Sequence, residues 1–290
     1  MKVSCIILNY NDADTTLKLV KEISGYEALD SIVVVDNCST DDSAKRLKSL
    51  NGGKIHVLHS KKNGGYGSGN NLGIRYAAEE LHATHVLVAN PDVCVSEECI
   101  CAMKKAFGQF EGLAVAAAVA KDPKGRIQPS SWSLNGLWGD LLDTGLLTRR
   151  LFAKRLNRSP KLCPKGPYAF VDAVLGSLFM ADARALLECG LYDEEVFLYY
   201  EEKILGIKLK NNGFKTVLLL DQSYIHNHSV SIDKSVKSIQ KKQALRYQSQ
   251  LYYYQHYLGM NRLEECFVRA ALGFIMAEIW FLTEVLKWSW

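Results

Sequence analysis

Short, mostly apolar runs recur through the first 120 residues, at Val3 to Leu8, Ser31 to Val35, Ile55 to His59, Val86 to Ala89 and Leu113 to Ala120. They are too short for ordinary helices and read as strands; Val86 to Ala89, four consecutive apolar residues, has the pattern of a strand buried on both faces of a parallel sheet. Segments with helical character lie between them: Ala13 to Ser24, Ser43 to Leu50, Leu72 to Leu81, and Ser96 to Phe110 with its serine cap and two early glutamates. Strand and helix in alternation predict an α/β fold, a mostly parallel sheet flanked by helices. The pattern breaks up from Lys121 to Tyr168 and resumes at Ala169 to Ala181, interrupted by Asp172 and Gly176. A helix from Asp182 to Cys189, another from Glu201 to a stop at Gly213, a strand from Thr216 to Leu220 and a helical extension over 236–290 complete the reading.

Composition adds limits. With 290 residues and 48% hydrophobic content the chain can bury a large core, and a net charge of +4 falls short of a nucleic-acid signature. Eight cysteines, several inside apolar runs and none with zinc-site spacing, predict reduced thiols and a cytoplasmic protein. The amino terminus has too short an apolar run for a secretion signal. Arg149, Arg150, Lys154, Arg155 and Arg158 cluster within the irregular segment, either as a solvated face or as a contact for phosphate or anionic lipid.

The chemistry sits where strands stop. The first strand ends in Asn9-Tyr10-Asn11-Asp12, with Asp12 or Asp14 available as a cap; the second ends in Asp36, followed by Asn37-Cys38-Ser39-Thr40. In open α/β sheets this carboxyl edge is where ligands bind, and an acid there can accept hydrogen bonds from a ribose or a base. Asn63 to Gly73 is glycine-rich, suiting a loop of close backbone approach, but it matches neither the dinucleotide fingerprint nor the Walker pattern. Pro91 ends the fourth strand and aims Asp92 of Asn90-Pro91-Asp92 outward. Each cluster taken singly also reads as a turn or a helix cap.

Together, in this order, the four clusters resemble the amino-terminal half of the family 2 glycosyltransferases, with a Rossmann-like GT-A fold, and most resemble the rhamnosyltransferase-like branch. The resemblance implies a nucleotide-binding half over 1–120 and an acceptor-binding half over 121–235. It implies a nucleotide site from Asn9, Tyr10, Asn11, Asp36, Asn63, Gly65, Asn71 and Asn90, and a Mg²⁺ or Mn²⁺ ion on Asp92. Where the family often has two acids, this chain keeps only the second; one carboxylate plus substrate phosphates and water is physically sufficient. The later half resembles the family too. Asp193-Glu194-Glu195-Val196-Phe197 matches its Asp-Glu-x-Phe-Phe pattern, and its catalytic base falls on Glu202, beside Glu201. Its second acid falls on Ile204 and its helix arginine on Lys208, both departures. His226, five residues before Ser231, keeps a family spacing and is a candidate to complete the metal shell. Asp172, Gly176 and Trp132 are candidates for the acceptor side.

The implied activity is transfer of a sugar, with inversion, from dTDP-rhamnose or a UDP-sugar to a glycan or lipid-linked hydroxyl in bacterial surface polysaccharide synthesis. A catalytically impaired nucleotide-binding scaffold and a sugar nucleotidyltransferase are the alternatives. In the extension, Trp280, Trp288 and Trp290 suit an interfacial helix on the inner face of the cell membrane, while a homodimer contact is the rival; the charges Arg269, Glu278, Glu284 and Lys287 argue against a spanning helix.

Overall fold

The computed structural model describes residues 1–156, 161–164, 166–227 and 239–285. Arg158, Ser231, Lys287, Trp288 and Trp290 lie outside them. Strands β1 (Val3–Asn9), β2 (Ser31–Asp36), β3 (Ile55–His59) and β4 (His85–Ala89) run parallel in the order β3-β2-β1-β4. Two-residue β5 (Val93–Cys94) follows, then β6 (Leu113–Lys121), β7 (Ser131–Trp132), β8 (Lys161–Leu162), β9 (Tyr168–Val171), β10 (Ala173–Val174), β11 (Leu178–Asp182) and β12 (Lys215–His226). The main sheet continues from β4 as β11-β6-β12-β9-β8, with β5 on β12, while β7 and β10 pair separately.

Two details depart from the expected pattern. The run Ala169 to Ala181 divides at Asp172 and Gly176 into three strands, and β11 enters antiparallel between β4 and β6. The last strand extends past Leu220 to His226, so that His226 ends a strand and stands across from Val93.

The glycine-rich stretch is a helix, Gly65–Glu79, where the sequence suggested a loop. Its glycines serve packing on the sheet: a Cβ on Gly69 would lie 2.3 Å from Leu8 Cδ1, and one on Gly73 2.6 Å from Ile6 Cγ2. Gly65 opens the helix at φ +91°, and a Cβ there would meet the Phe197 carbonyl oxygen at 2.2 Å. Only glycine fits a left-handed residue laid directly on another backbone.

Apolar clusters cover both faces of the sheet. A third cluster joins Leu137 and Leu141 to Val196, Tyr200 and Ile204, and to Tyr253, Tyr254, Val268 and Leu272 of the helices Ile239–Tyr257 and Arg262–Trp280. The irregular segment is therefore partly ordered: its helix Leu137–Thr144 packs on the extension, and both pack on the helix Glu201–Asn211. Asn261 opens Arg262–Trp280 with a capping box, accepting from the Glu264 amide at 3.0 Å while Glu264 accepts from the Asn261 amide at 2.9 Å. All eight cysteines are free. Among the described residues no helix is long and apolar enough to cross a membrane.

Candidate active site

The β1 and β2 ends form a lattice of small polar groups. Asn9 Nδ2 donates to Asp36 Oδ1 at 3.0 Å and to Ser39 Oγ at 3.1 Å, while its Oδ1 accepts from Thr16 Oγ1 at 2.9 Å. Ser39 Oγ donates to Asp36 Oδ1 at 2.5 Å, and His59 Nδ1 lies 3.6 Å from Asp36 Oδ2. Asn11, left-handed at φ 52°, accepts from the Thr40 amide at 2.7 Å and donates to Thr40 Oγ1 at 3.0 Å. Asp12 stands at the helix start without a side-chain bond to a backbone amide there; it accepts from Thr15 Oγ1 at 2.9 Å. Asn9 and Asp36 are buried, and Tyr10, next to Asn9 in the chain, is half-buried.

Next along the edge, Asn37 Nδ2 donates to Asn63 Oδ1 and to the Gly65 carbonyl, both at 3.0 Å. Asn71 is used differently from the expectation of a nucleotide contact. Buried, it donates to the Tyr192 carbonyl at 3.0 Å and to Glu194 Oε1 at 2.9 Å, and accepts from the Tyr192 amide at 3.0 Å. It clamps the glycine helix to the Asp193-Glu194 motif. Asp193 in turn accepts from Tyr252 at 3.0 Å and Tyr257 at 2.6 Å, which binds the motif to the extension.

Pairing of β5 with β12 brings Asp92 and His226 together, carboxylate to Nε2 at 3.4 Å, both buried. The Asn90 amide donates to the Ser177 carbonyl at 2.8 Å, and Ser177 Oγ and the Tyr224 hydroxyl share a 2.7 Å hydrogen bond. One residue back, the Gly176 amide approaches Glu202 Oε1 at 3.4 Å, and the Gly176 carbonyl accepts from Tyr66 at 2.7 Å. Segment 176–177 thus meets Glu202 on one side and the Asn90 to Asp92 turn on the other. A carboxylate oxygen and an imidazole nitrogen suit a divalent ion that retains water and accepts phosphate oxygens. Among the described residues no third acid, histidine or cysteine joins them.

Glu201 and Glu202 begin a helix whose entry is strained: Tyr199 and Tyr200 are both left-handed, at φ 71° and 70°. Such residues cost about 1–3 kcal/mol each and persist where the surroundings over-determine them. The helix start itself favours negative charge, but burial opposes it. Burial, and then the neighbouring Glu202 charge, push the Glu201 carboxyl up to about 8. Burial raises Glu202 as well, while its own and the Gly176 amides and the cations Lys203 and Arg246 favour its ionised form. The pair therefore holds a proton near neutrality, with Glu202 the member better placed to be the base.

A network invisible to the sequence reading braces this helix. Buried Asp140 accepts from Tyr200 at 2.7 Å and Tyr254 at 3.0 Å and forms an ion pair with Lys203. Gln250 donates to Tyr254 and to Thr144 Oγ1, each at 2.7 Å. The one available signal was an acid inside the apolar helical segment Leu137–Thr144. Ile204, where the family resemblance placed an acid, is fully buried in the cluster shared with the extension, which requires an apolar side chain. Lys208 holds the Gly190 and Leu191 carbonyls at 3.0 and 2.6 Å.

On the acceptor side, Trp132 pairs with Ala173 across the β7–β10 ladder. Asp172 lines a small pocket with Val174, Phe179, Tyr192 and Glu202. Its carboxylate is engaged by the Leu134 amide at 2.9 Å and Lys210 at 2.7 Å, so Asp172 shapes this wall more directly than it could bind a sugar. Gly176 contributes by lacking a side chain: a Cβ would lie 3.1 Å from Glu202 Oε1.

The chain is 28% identical over 238 residues to the low-salt glycan biosynthesis hexosyltransferase Agl10 of Haloferax volcanii, covering 82% of this chain and 71% of that protein. It is 24% identical over 220 residues to the N-acetylglucosaminyl-diphospho-decaprenol L-rhamnosyltransferase of Mycobacterium tuberculosis, covering 70% and 69%. Among solved structures, the mannosyltransferase PcManGT of Pyrobaculum calidifontis, in complex with GDP-Man and Mn²⁺, shares the fold at a TM-score of 0.61 and 13% identity, over 100% of this chain and 76% of that one. Residues 4–163 match the family model for glycosyl transferase family 2, and the chain belongs to that family.

Proposed function

We propose that the chain moves a sugar, with inversion, from a nucleotide-diphosphate donor to a hydroxyl of a glycan or lipid-linked acceptor in cell-surface glycan synthesis. The observation carrying this reading is the continuity from Glu202 through Gly176 and Ser177 to Asn90, Asp92 and His226. It sets a candidate base and a candidate diphosphate site on one short segment. The Glu202 carboxylate takes the acceptor hydroxyl proton; the acceptor oxygen bonds to the anomeric carbon as the sugar–phosphate bond breaks and the nucleoside diphosphate departs. Asp92 and His226 would hold a Mg²⁺ or Mn²⁺ ion, which would supply positive charge to the diphosphate leaving group. Tyr10 and the backbone of the 37–41 loop flank the nucleoside, positioned by Asn9, Asn11 and Asp36. The names of the hexosyltransferase and rhamnosyltransferase relatives support a sugar donor and a polyprenyl-linked acceptor, with dTDP-rhamnose or a UDP-sugar as the first donors to try.

Calorimetry with UDP, dTDP and GDP, in Mn²⁺ and again in EDTA, tests the donor half of the proposal. Metal-dependent binding of one nucleotide is expected, and binding indifferent to EDTA would remove Asp92 and His226 from it. Glu202→Gln is expected to bind that nucleotide normally and lose roughly 10²–10⁴-fold in turnover. Unchanged turnover would transfer the base role elsewhere. Binding without transfer in the unmutated chain would favour the scaffold alternative.

A further inference from the structure

The helix Arg262–Trp280 has two apolar faces. Val268, Leu272, Ile275 and Ile279 face inward and are buried in the third core cluster. On the opposite side Leu263, Phe267, Ala270, Phe274, Ala277 and, just past the helix, Phe281 are all exposed, Phe274 at 79% and Leu263 at 84%. Their spacing alternates between four residues and three. That average of about 3.5 is the repeat that keeps a helix seam facing a partner helix. Trp138, half-exposed with its ring 5.5 Å from that of Phe267, widens the strip at one end. No charged residue interrupts the seam, and an uncovered apolar strip of this length marks a contact surface.

The order of side-chain sizes selects the occupant. Large residues sit at 267, 274 and 281, and smaller ones at 263, 270 and 277. In a parallel pair, after leucine on leucine at 263, the layers would alternate phenylalanine on phenylalanine with alanine on alanine, overpacked and then void. Antiparallel pairing about Leu272 sets Leu263 against Phe281, Phe267 against Ala277 and Ala270 against Phe274 of the second copy. Every layer then holds one phenylalanine and one smaller side chain. The arrangement is its own twofold complement and closes at two chains. Lipid tails conform to any apolar surface and place no demand on such an order.

We infer that this face is the seam of an antiparallel homodimer formed by the helix Arg262–Trp280 of two copies. The inference is independent of the catalytic proposal. Sedimentation equilibrium of the full chain is expected to find a dimer, and Phe274→Glu, at an exposed position, a monomer with an unchanged melting temperature at its own core transition. Ala270→Phe sets phenylalanine against phenylalanine and is expected to weaken the dimer by at least roughly tenfold. The double variant Ala270→Phe with Phe274→Ala exchanges large and small across the same layer and is expected to recover most of that loss. A monomer at every concentration, a dimer indifferent to Phe274→Glu, or a double variant no tighter than Ala270→Phe would overturn the inference. So would binding of the monomer to phosphatidylglycerol vesicles that Phe274→Glu abolishes, which would assign the face to lipid.

Discussion

The β1–β2 edge and the start of the helix Glu201–Asn211 both carry buried carboxylates, yet they are held in opposite ways. At the edge, Asp36 accepts from Asn9 at the end of β1 and from the hydroxyl and amide of Ser39, with the His59 ring 3.6 Å away, so the charge is shared among several partners. At the helix, Glu202 has the Gly176 amide and the cations Lys203 and Arg246 to favour its charge, and Lys203 is held by one buried ion pair with Asp140, which also accepts from Tyr200 at the helix entry and from Tyr254 of a distant helix. A redundant lattice loses little when one member goes. A single buried pair does not.

The sharpest test of that contrast is Asp140→Ala. It leaves the Lys203 ammonium, mostly buried, without its partner and takes the acceptor from two tyrosine hydroxyls. The expected loss is about 3–5 kcal/mol, read as a lowered denaturant midpoint at unchanged slope. Pairing the change with Lys203→Met is expected to recover a substantial part of it, because the stranded charge is then gone. If Asp140→Ala unfolds the chain no more easily than an exposed-site change, the network is not what braces the carboxylate helix.

Titration of Glu201 gives the next largest effect. Its folded carboxyl is raised from 4.5 to about 8, so between those values the folded state holds more protons than the unfolded one. The contribution of this group to stability is then fully present below about pH 4.5 and is lost as pH rises toward 8. Glu201→Gln removes the group that must ionise. It is expected to flatten the melting temperature between pH 5 and pH 8.5, conditions chosen to bracket the shift, and to stabilise the chain at the upper end by about 2–3 kcal/mol, after allowing for Glu202 taking up part of the burial penalty. A profile as steep as the unmutated one would place the proton elsewhere. Across this range turnover is expected to rise with pH as the pair releases its proton and Glu202 becomes available as base.

The two regions also differ in how far the sequence revealed them. Strands β1 to β4 and the polar residues that end them are contiguous, so the apolar runs and the clusters after them marked both the sheet and its candidate site edge. The carboxylate helix was legible from side chains three to four residues apart, and its candidate base from the family resemblance. Its support was not: Asp140 lies 60 residues from Tyr200 and 114 from Tyr254, and only the folded chain brings the three together. The glycine stretch misled in a different sense. Glycines disfavour a helix by local propensity, and here close packing on Leu8 and Ile6 overrides that preference. Likewise Asn71 and Asp172 carried the right chemistry for ligands, but tertiary partners at 121 and 38 residues' distance claim their polar atoms.

Gly69→Ala measures that override from the edge side. Elsewhere in a helix the change stabilises by up to about 1 kcal/mol, but here the new methyl would meet Leu8 Cδ1 at 2.3 Å. A net loss of about 1–2 kcal/mol is expected from overpacking, measured as a lower urea midpoint; a gain would mean the helix can lift off β1.

The smallest effect should come from the lattice itself. Asn11→Gly keeps the left-handed backbone and removes only the side-chain bonds to Thr40 and Asp41. Because Ser39 still ties the Asn11 amide and Asn9 still holds Asp36, about 1 kcal/mol is expected, a melting shift of roughly 2–4 °C. Nucleotide affinity should move further than stability, since the 37–41 loop flanks the proposed nucleoside site while contributing little to the core. The same comparison at Asp140 should give the reverse, a large loss of stability with nucleotide affinity almost untouched in the fraction that remains folded. If Asn11→Gly instead lowers stability as much as Asp140→Ala, the edge is no more redundant than the helix start, and the distinction between a shared charge and a singly paired one fails.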